Sequence, residues 1–291
     1  MKNKLAIGTA NFGMAYGHGT KAERLSEEVG KEILAYAERL GIETLDTAIS
    51  YGDCTKRLGS IGVKNWKIIT KIPEIPDGIT NVYEWVTDSI YKSSHEMGIP
   101  IFEGILIHNP KDIIEKHTKE LLRSLLDLKT SGLTRKIGAS IYERNDLENI
   151  LNVFQPDIIQ CPVNILDTRL LVDNYLSNLS KMGIEVHIRS IFLQGTLISS
   201  YETLPNGFEQ FNDIWEDWRL WLNSNNLLPV EACIRFANSI KGVDKIIFGV
   251  NSISHLKEIF CHYNKSPIHE KPKWRSALKP GLIDPRLWKK G

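Results

Sequence analysis

Cysteine is scarce in this chain: four residues in 291 (Cys54, Cys161, Cys233 and Cys261), with no C-x-x-C pair among them. That excludes a disulfide framework and the spacing of a structural zinc site, and no metal is expected. Charge of one sign is also lacking, since 36 Lys+Arg against 35 Asp+Glu leave a formal net charge of +1. No long-range field would draw such a chain onto nucleic acid or an anionic membrane. Long hydrophobic runs are absent, and no stretch approaches the ~18 uncharged apolar residues of a membrane span. The first residues, Met1-Lys-Asn-Lys-Leu-Ala-Ile-Gly8, lack the apolar core of a signal peptide. Reduced thiols and no leader together give a cytoplasmic expectation. Low-complexity stretches and linkers are missing too.

What is present is an ordinary globular composition, 42% hydrophobic and 24% charged. At about 100–200 residues per domain, the length suits two ordinary domains or one large one. A repeat of element type decides between them. Short β-branched runs recur at Leu5–Gly8, Thr44–Asp46, Lys67–Lys71, Phe102–His108, Lys136–Ser140, Asp157–Cys161, Glu185–Arg189 and Lys245–Gly249. Between them lie helical patterns. Ser26–Leu40 has Ser26 as its cap, Glu27 and Glu28 in its first turn, and a stripe of Val29, Ile33, Leu34, Ala37 and Leu40. Others fall at Tyr83–Met97, Ile113–Ser131, Asn145–Val153 (capped by Asn145), Asp173–Met182, Pro229–Ile240 and Ile253–Tyr263. Strand and helix alternate about eight times, and a (β/α)8 barrel needs about 250 residues. The expected fold class is therefore α/β, a (β/α)8 TIM barrel forming one domain over residues 1–291. The long segment 190–228 and the C-terminal tail 264–291 fall outside the repeat. Trp215, Trp218 and Trp221, three apart, read as the packed face of one helix rather than a ligand platform.

In this barrel, chemistry gathers at the C-terminal ends of the strands. Those ends supply Asp46, with Tyr51 just beyond it, then Lys71, His108, Ser140, Gln160 and Arg189. Three ionisable residues on consecutive apolar strands are costly to bury without a purpose. A tyrosine with a free pKa near 10 is a poor acid at neutral pH. An ammonium within about 4 Å is worth roughly 4 kcal/mol at an effective dielectric of 20, enough to lower it by a couple of pH units. Asp46 would hold Lys71 charged, and His108 would orient a carbonyl oxygen. Such a set polarises a carbonyl and protonates the alkoxide, but it has no hydride of its own. A nicotinamide cofactor is implied.

The chain resembles the aldo-keto reductases along nearly its whole length. The resemblance is carried by Gly8-Thr-Ala-Asn-Phe-Gly13, Gly41-Ile-Glu-Thr-Leu-Asp46-Thr-Ala-Ile-Ser-Tyr51-Gly52, Ile69-Thr-Lys71, Leu106-Ile-His108, Lys136-Ile-Gly-Ala-Ser140, Gln160 with Asn164, and the strand end at Gly249. It is most similar to the bacterial branch with Phe-Gly-x-x-Tyr-Gly near the start (Phe12, Gly13, Tyr16, Gly17). The resemblance implies Tyr51 as proton donor, Lys71 and Asp46 as its tuning pair, and His108 as the carbonyl-orienting group. It implies NADP(H) as cofactor, with NAD(H) left open, held by Thr9, Ala10, Asp46, Ser140, Gln160, Arg189, Ser190, Phe192, Gln194, Gly249, Asn251 and His255. Phe12 and Tyr16 would wall the substrate mouth. Ile141 stands where the family carries Asn. Arg189 stands where it often carries a ring-stacking aromatic, and a planar guanidinium can stack in its place. His255 and Ile259 replace the residues that usually meet the adenosine 2′-phosphate and adenine. His255 reads equally as an exposed helix residue. The family's N-terminal hairpin is at most vestigial.

Three readings stay open on the sequence. The first is a nicotinamide-dependent oxidoreductase acting on an aldehyde, ketone or sugar. The second is a non-catalytic cofactor-binding barrel that serves as a sensor or interaction module. The third is a lyase forming a Schiff base on Lys71. The spelling G-x-G-x-x-A at Gly17–Ala22 is a chance match, because it neither follows a strand directly nor opens a helix. His95, His117, His262 and His269 read as surface residues. The expected partner is a small carbonyl substrate, with no nucleic acid and no membrane. The physiological substrate, the direction of reaction and the oligomeric state are not written in the residues.

Overall fold

Strands too short and too apolar to show one wet face must be covered on both sides, and a closed parallel barrel does this. The computed structural model describes residues 3–17, 23–205, 207–276 and 279–288. Eight parallel strands close in sequence order: β1 (Leu5–Gly8), β2 (Thr44–Asp46), β3 (Lys67–Ile72), β4 (Gly104–Ile107), β5 (Ile137–Ser140), β6 (Ile158–Pro162), β7 (Glu185–Arg189) and β8 (Lys245–Gly249). The last pairs with the first through Leu5↔Ile246 to Gly8↔Gly249. Every predicted strand is present, to within two or three residues at its ends.

The helices are α1 (Ala10–Gly13), α2 (Glu27–Arg39), α3 (Cys54–Ile61), α4 (Val82–Met97), α5 (Thr118–Thr130), α6 (Arg144–Leu151), α7 (Tyr175–Lys181), α8 (Asn212–Ser224), α9 (Pro229–Ser239), α10 (Ile253–Tyr263) and α11 (Pro280–Ile283). Ser26 caps α2 as expected, its hydroxyl accepting from Val29 N–H at 3.2 Å. Val29 itself points outward, at 36% exposed.

Two helix readings and one surface reading need correction, and one helix was not anticipated. The predicted helix 113–131 is broken: a π-turn over Asp112–Lys116 ends at His117 (φ −132°), and α5 starts after it. Asn145 is not a cap. The α6 helix starts one residue earlier, and Asp146 Oδ2 accepts from the Tyr142 and Glu143 N–H groups instead. The α3 helix was not anticipated, because only Cys54, Thr55 and Leu58 of its eight residues face inward. His262 is buried against Glu231 rather than lying on the surface.

Two hydrophobic bodies result. Ile69, Leu106 and Ile158 fill the barrel interior, while the main cluster lies between the strands and the outer helices. Gly138 makes the interior plug possible, since a Cβ there would sit 1.9 Å from the Ile158 carbonyl oxygen. Residues 190–228 fold as 3-10 turns followed by α8. Trp215 and Trp218 are buried on it, and Trp218 stacks on Trp221 at 5.7 Å. The tail returns over the barrel mouth. Arg275 joins Asp217 at 2.6 Å, and Leu282 and Trp288 are buried. Among the described residues no hairpin precedes β1, and no helix is long and apolar enough to cross a membrane. The four cysteines are free, and no group of three or more His, Cys, Asp or Glu among the described residues is arranged to hold a metal.

Candidate active site

Parallel pairing brings the C-terminal ends of the strands to one mouth. Asp46 pairs in register with Ile69 and Gly8, so Lys71 stands one inward-facing position beyond Asp46 on the next strand. The Lys71 ammonium donates to both carboxylate oxygens of Asp46, at 2.8 and 2.7 Å, and to the Thr47 carbonyl at 3.0 Å. Lys71 is 1% and Asp46 4% exposed, which leaves this pair almost no water to compete with. Gln160, reaching across the barrel from β6, donates to Asp46 Oδ1 at 2.7 Å. Burial pulls the Lys71 ammonium down, and Asp46 opposes that shift.

Tyr51 follows β2 in a turn fixed by close packing. A Cβ on Gly13 would fall 1.8 Å from the Tyr51 carbonyl oxygen, so only glycine lets loop 1 lie against this turn. The Lys71 Nζ sits 5.6 Å from the Tyr51 ring centroid. His108 meets Tyr51 edge-on, with centroids 6.1 Å apart at 82°, and its Nδ1 lies 3.3 Å from Ser50 Oγ. The structure thus brings Asp46, Tyr51, Lys71 and His108 together.

The expected lowering of Tyr51 is not what this site shows. Burial pushes the phenol up and the Asp46 charge pushes it further, while Arg189 pulls it down. The Lys71 charge is neutralised at close range by Asp46, so little of it reaches the phenol. His108 is pulled down from 6.5 to about 4, first by burial and then by the Lys71 and Arg189 cations. At neutral pH this leaves a neutral imidazole beside a protonated phenol.

A cavity of about 380 Å³ opens beside Tyr51 and Asp46. Its wall includes ten of the twelve residues expected to hold a cofactor: Thr9, Ala10, Asp46, Arg189, Ser190, Phe192, Gln194, Gly249, Asn251 and His255. The other two, Ser140 and Gln160, are buried below it at 1% and 0% exposure. The wall after β7 is strained. Ser190, Leu193 and Gln194 all have positive φ (60°, 47° and 52°), costly for residues with a side chain. The Asn164 amide donates to the Ser190 carbonyl at 3.1 Å and holds this turn in place.

Several polar atoms here have no partner. Gln160 Oε1, Asn11 Oδ1 and His255 Nε2 are buried and unpartnered. Asn11 was missed as a site residue. Its amide donates to the Val250 carbonyl at 2.8 Å and to Asn251 Oδ1 at 2.7 Å. A polar residue three places beyond a barrel strand end was the available signal.

Two sequence readings are revised. Phe12 does not wall the substrate mouth. It is 1% exposed and packs under α2, where a Cβ on Gly30 would touch its ring at 3.0 Å. Tyr16 does line the cavity and is 44% exposed. His255 is no exposed helix residue: it is half-buried, its ring lies 6.1 Å from that of Phe192, and burial lowers its pKa. Ile259 is fully buried in the core. The segment 18–22, with His18 and most of the G-x-G-x-x-A spelling, lies outside the described residues.

Comparison with known proteins places this geometry in a family. The chain is 27% identical over 228 residues to an uncharacterized oxidoreductase of Schizosaccharomyces pombe, a match covering 75% of this chain and 74% of that protein. Among solved structures it is similar to an aldo-keto reductase from Bacillus halodurans in its holo form (TM-score 0.71, 18% identity, 91% of this chain and 88% of that one). It is also similar to a putative aldo-keto reductase from Pseudomonas aeruginosa (TM-score 0.65, 21% identity, 90% and 89%). A glycerol dehydrogenase from Gluconobacter oxydans gives a TM-score of 0.69 at 17% identity, covering 91% and 88%. At these identities the structural likeness speaks for the fold, and the profile of the aldo/keto reductase family matches residues 4–271. The chain belongs to the aldo/keto reductase family.

Proposed function

We propose that the protein reduces an aldehyde or ketone, a sugar among the candidates, to the alcohol, with NADP(H) as its dinucleotide and Tyr51 as the proton donor. The observation that carries this reading is the buried Lys71–Asp46 pair beneath Tyr51, with neutral His108 edge-on to the phenol.

The residues present fit a nicotinamide dinucleotide. Gln160 Oε1 is an unpartnered buried acceptor suited to a carboxamide N–H, and Asn11 and His255, which line the cavity, carry the unpartnered Oδ1 and Nε2. The strained Ser190–Gln194 turn offers backbone and hydroxyl groups to a pyrophosphate. The start of α10, where the Ser252 hydroxyl accepts from His255 N–H at 3.1 Å, suits a phosphate on the adenosine side. When bound, the dinucleotide supplies the hydride.

The chain's own residues do the rest. A Ser50 hydroxyl donating to His108 Nδ1 would put the neutral imidazole's proton on Nε2, where it can be offered to the carbonyl oxygen. Tyr51 holds its proton throughout the neutral range and gives it to the oxygen once negative charge develops there. The Lys71–Asp46 pair fixes the field beneath the phenol without taking part in proton transfer.

A Schiff base on Lys71 is disfavoured, because its ammonium is held by three oxygens and is 1% exposed. Borohydride in the presence of a carbonyl compound should therefore add no mass to Lys71. The reading is tested by titrating NADPH and then NADH into the protein by fluorescence, followed by a panel of aldehydes and aldoses. Saturable binding with oxidation of the dinucleotide supports it. Tight binding without reduction of any carbonyl compound would move the protein to the non-catalytic, cofactor-sensing reading.

A further inference from the structure

The mouth of the barrel holds one buried cation, Lys71, a half-buried one, Arg189, and the buried carboxylate of Asp46. Asp46 is fully engaged, with both oxygens on Lys71 and one also on Gln160. Arg189, at the end of β7, has no ion pair among the described residues. Its guanidinium makes only long contacts to neutral oxygens: Ser190 Oγ at 3.3 Å, the Ile141 carbonyl at 3.4 Å and Ser140 Oγ at 3.5 Å. One face rests on the Tyr142 ring at 4.5 Å. Arg286 covers that ring from 3.5 Å, but it is paired with Asp284 and Arg189 is not.

The titratable groups facing Arg189 include no free carboxylate. They are the Lys71 ammonium, His108, the phenols of Tyr16, Tyr51 and Tyr142, and the Cys161 thiol, which burial pushes up to about 12. Asp167, beyond Cys161, is taken by Arg169 at 2.8 Å. Arg189 lines the same cavity as Tyr51 and Asp46, so its charge acts where the carbonyl and hydride donor must meet.

We infer that Arg189 makes the site discriminate between the redox states of its dinucleotide, favouring the reduced form and expelling the oxidised one. The inference rests on the carbonyl-reduction reading above. A dihydronicotinamide ring is neutral, and the ring left after hydride transfer carries a positive charge. During transfer that charge is balanced by the negative charge on the carbonyl oxygen. Once Tyr51 has protonated the alkoxide, a cationic ring held in this cavity would meet the Arg189 guanidinium with no free carboxylate beside it. The phosphates are common to both forms, so the ratio of their dissociation constants isolates the ring. The protein is built to take up reduced dinucleotide and release the spent one, and so to run as a reductase with little product inhibition.

The test is a binding titration of NADPH and NADP+ against wild type, Arg189→Met and Arg189→Lys, with thermal melts to check folding. The wild type should bind NADPH at least about tenfold more tightly than NADP+, a difference of about 1.4 kcal/mol. Arg189→Met should bring the two constants within about threefold, and Arg189→Lys should keep most of the difference. Should Arg189→Met fail to fold, Arg189→Gln replaces it, with the same expectation. A wild-type ratio near one, or a ratio unchanged in the neutral variant, overturns the inference while leaving carbonyl reduction standing. Failure of the wild type to bind either form would instead overturn the carbonyl-reduction reading itself.

Discussion

Both ends of this barrel gather charge, half-buried at one and largely buried at the other, and they do so differently. At the N-terminal end, Lys136 sits between two carboxylates, bonded to Glu103 at 2.7 Å and to Glu185 at 2.5 Å, and Glu185 also meets His187 at 2.9 Å. No cation there is left over from that cluster. At the C-terminal end, Lys71 and Asp46 form a closed pair, but among the described residues Arg189 has no ion pair and Gln160 Oε1, Asn11 Oδ1 and His255 Nε2 have no partners. A compensated cluster stabilises a fold. An uncompensated one beside a cavity is ready for a ligand.

Matched substitutions should separate the two ends most sharply. Lys71→Met leaves Asp46 buried without its counter-ion, at a cost of about 3–5 kcal/mol of stability. It should also lower kcat by about 100-fold or more through the disturbed phenol. Lys136→Met, at a half-wet site, should cost about 1–2 kcal/mol and leave kcat unchanged. Chemical denaturation and steady-state rates on both variants check this, and equal effects on kcat would erase the contrast.

Next in size is Gly13→Ala. The added methyl has no room against the Tyr51 carbonyl, so about 1–3 kcal/mol should be lost. The displaced phenol should lower kcat by up to about 100-fold, with dinucleotide affinity changed far less.

The third expectation concerns pH. The folded state holds His108 at about 4 against 6.5 in the free residue, and so favours the neutral imidazole. The folded state binds fewer protons between those values, so its stability is full above pH 6.5 and falls as the pH drops toward 4. Denaturant titrations across that window should show the fall, and His108→Gln should flatten it. The acid limb of kcat/KM should lie near pH 4 rather than 6.5.

The smallest effect is expected at His255. Burial keeps this imidazole neutral and thus a weak phosphate ligand. His255→Lys should raise the preference for NADPH over NADH by roughly tenfold or less, read from paired dissociation constants.

The strands were legible because runs such as Lys67–Ile72 and Lys245–Gly249 are β-branched and bounded by breakers. Their alternation with helices left one architecture. The cores of Asp46, Lys71 and His108 chemistry were legible for the same reason, as ionisable residues ending apolar strands. Features that depend on three-dimensional contact were not. The α3 helix carries too narrow an apolar face to announce itself, and the break at His117 has no proline or glycine to mark it. Phe12 was misplaced because an aromatic in a mouth loop can turn either way, and only the space over Gly30 decides. The direction of the Tyr51 shift was misread because pairwise charge was weighed without burial.

The most direct single measurement compares wild type with Tyr51→Phe, following NADPH oxidation with a carbonyl compound that the wild type reduces. Proton donation by Tyr51 predicts a fall in kcat of about 100- to 10,000-fold, with the dissociation constant for NADPH within about threefold of wild type. An unchanged kcat in Tyr51→Phe would contradict it.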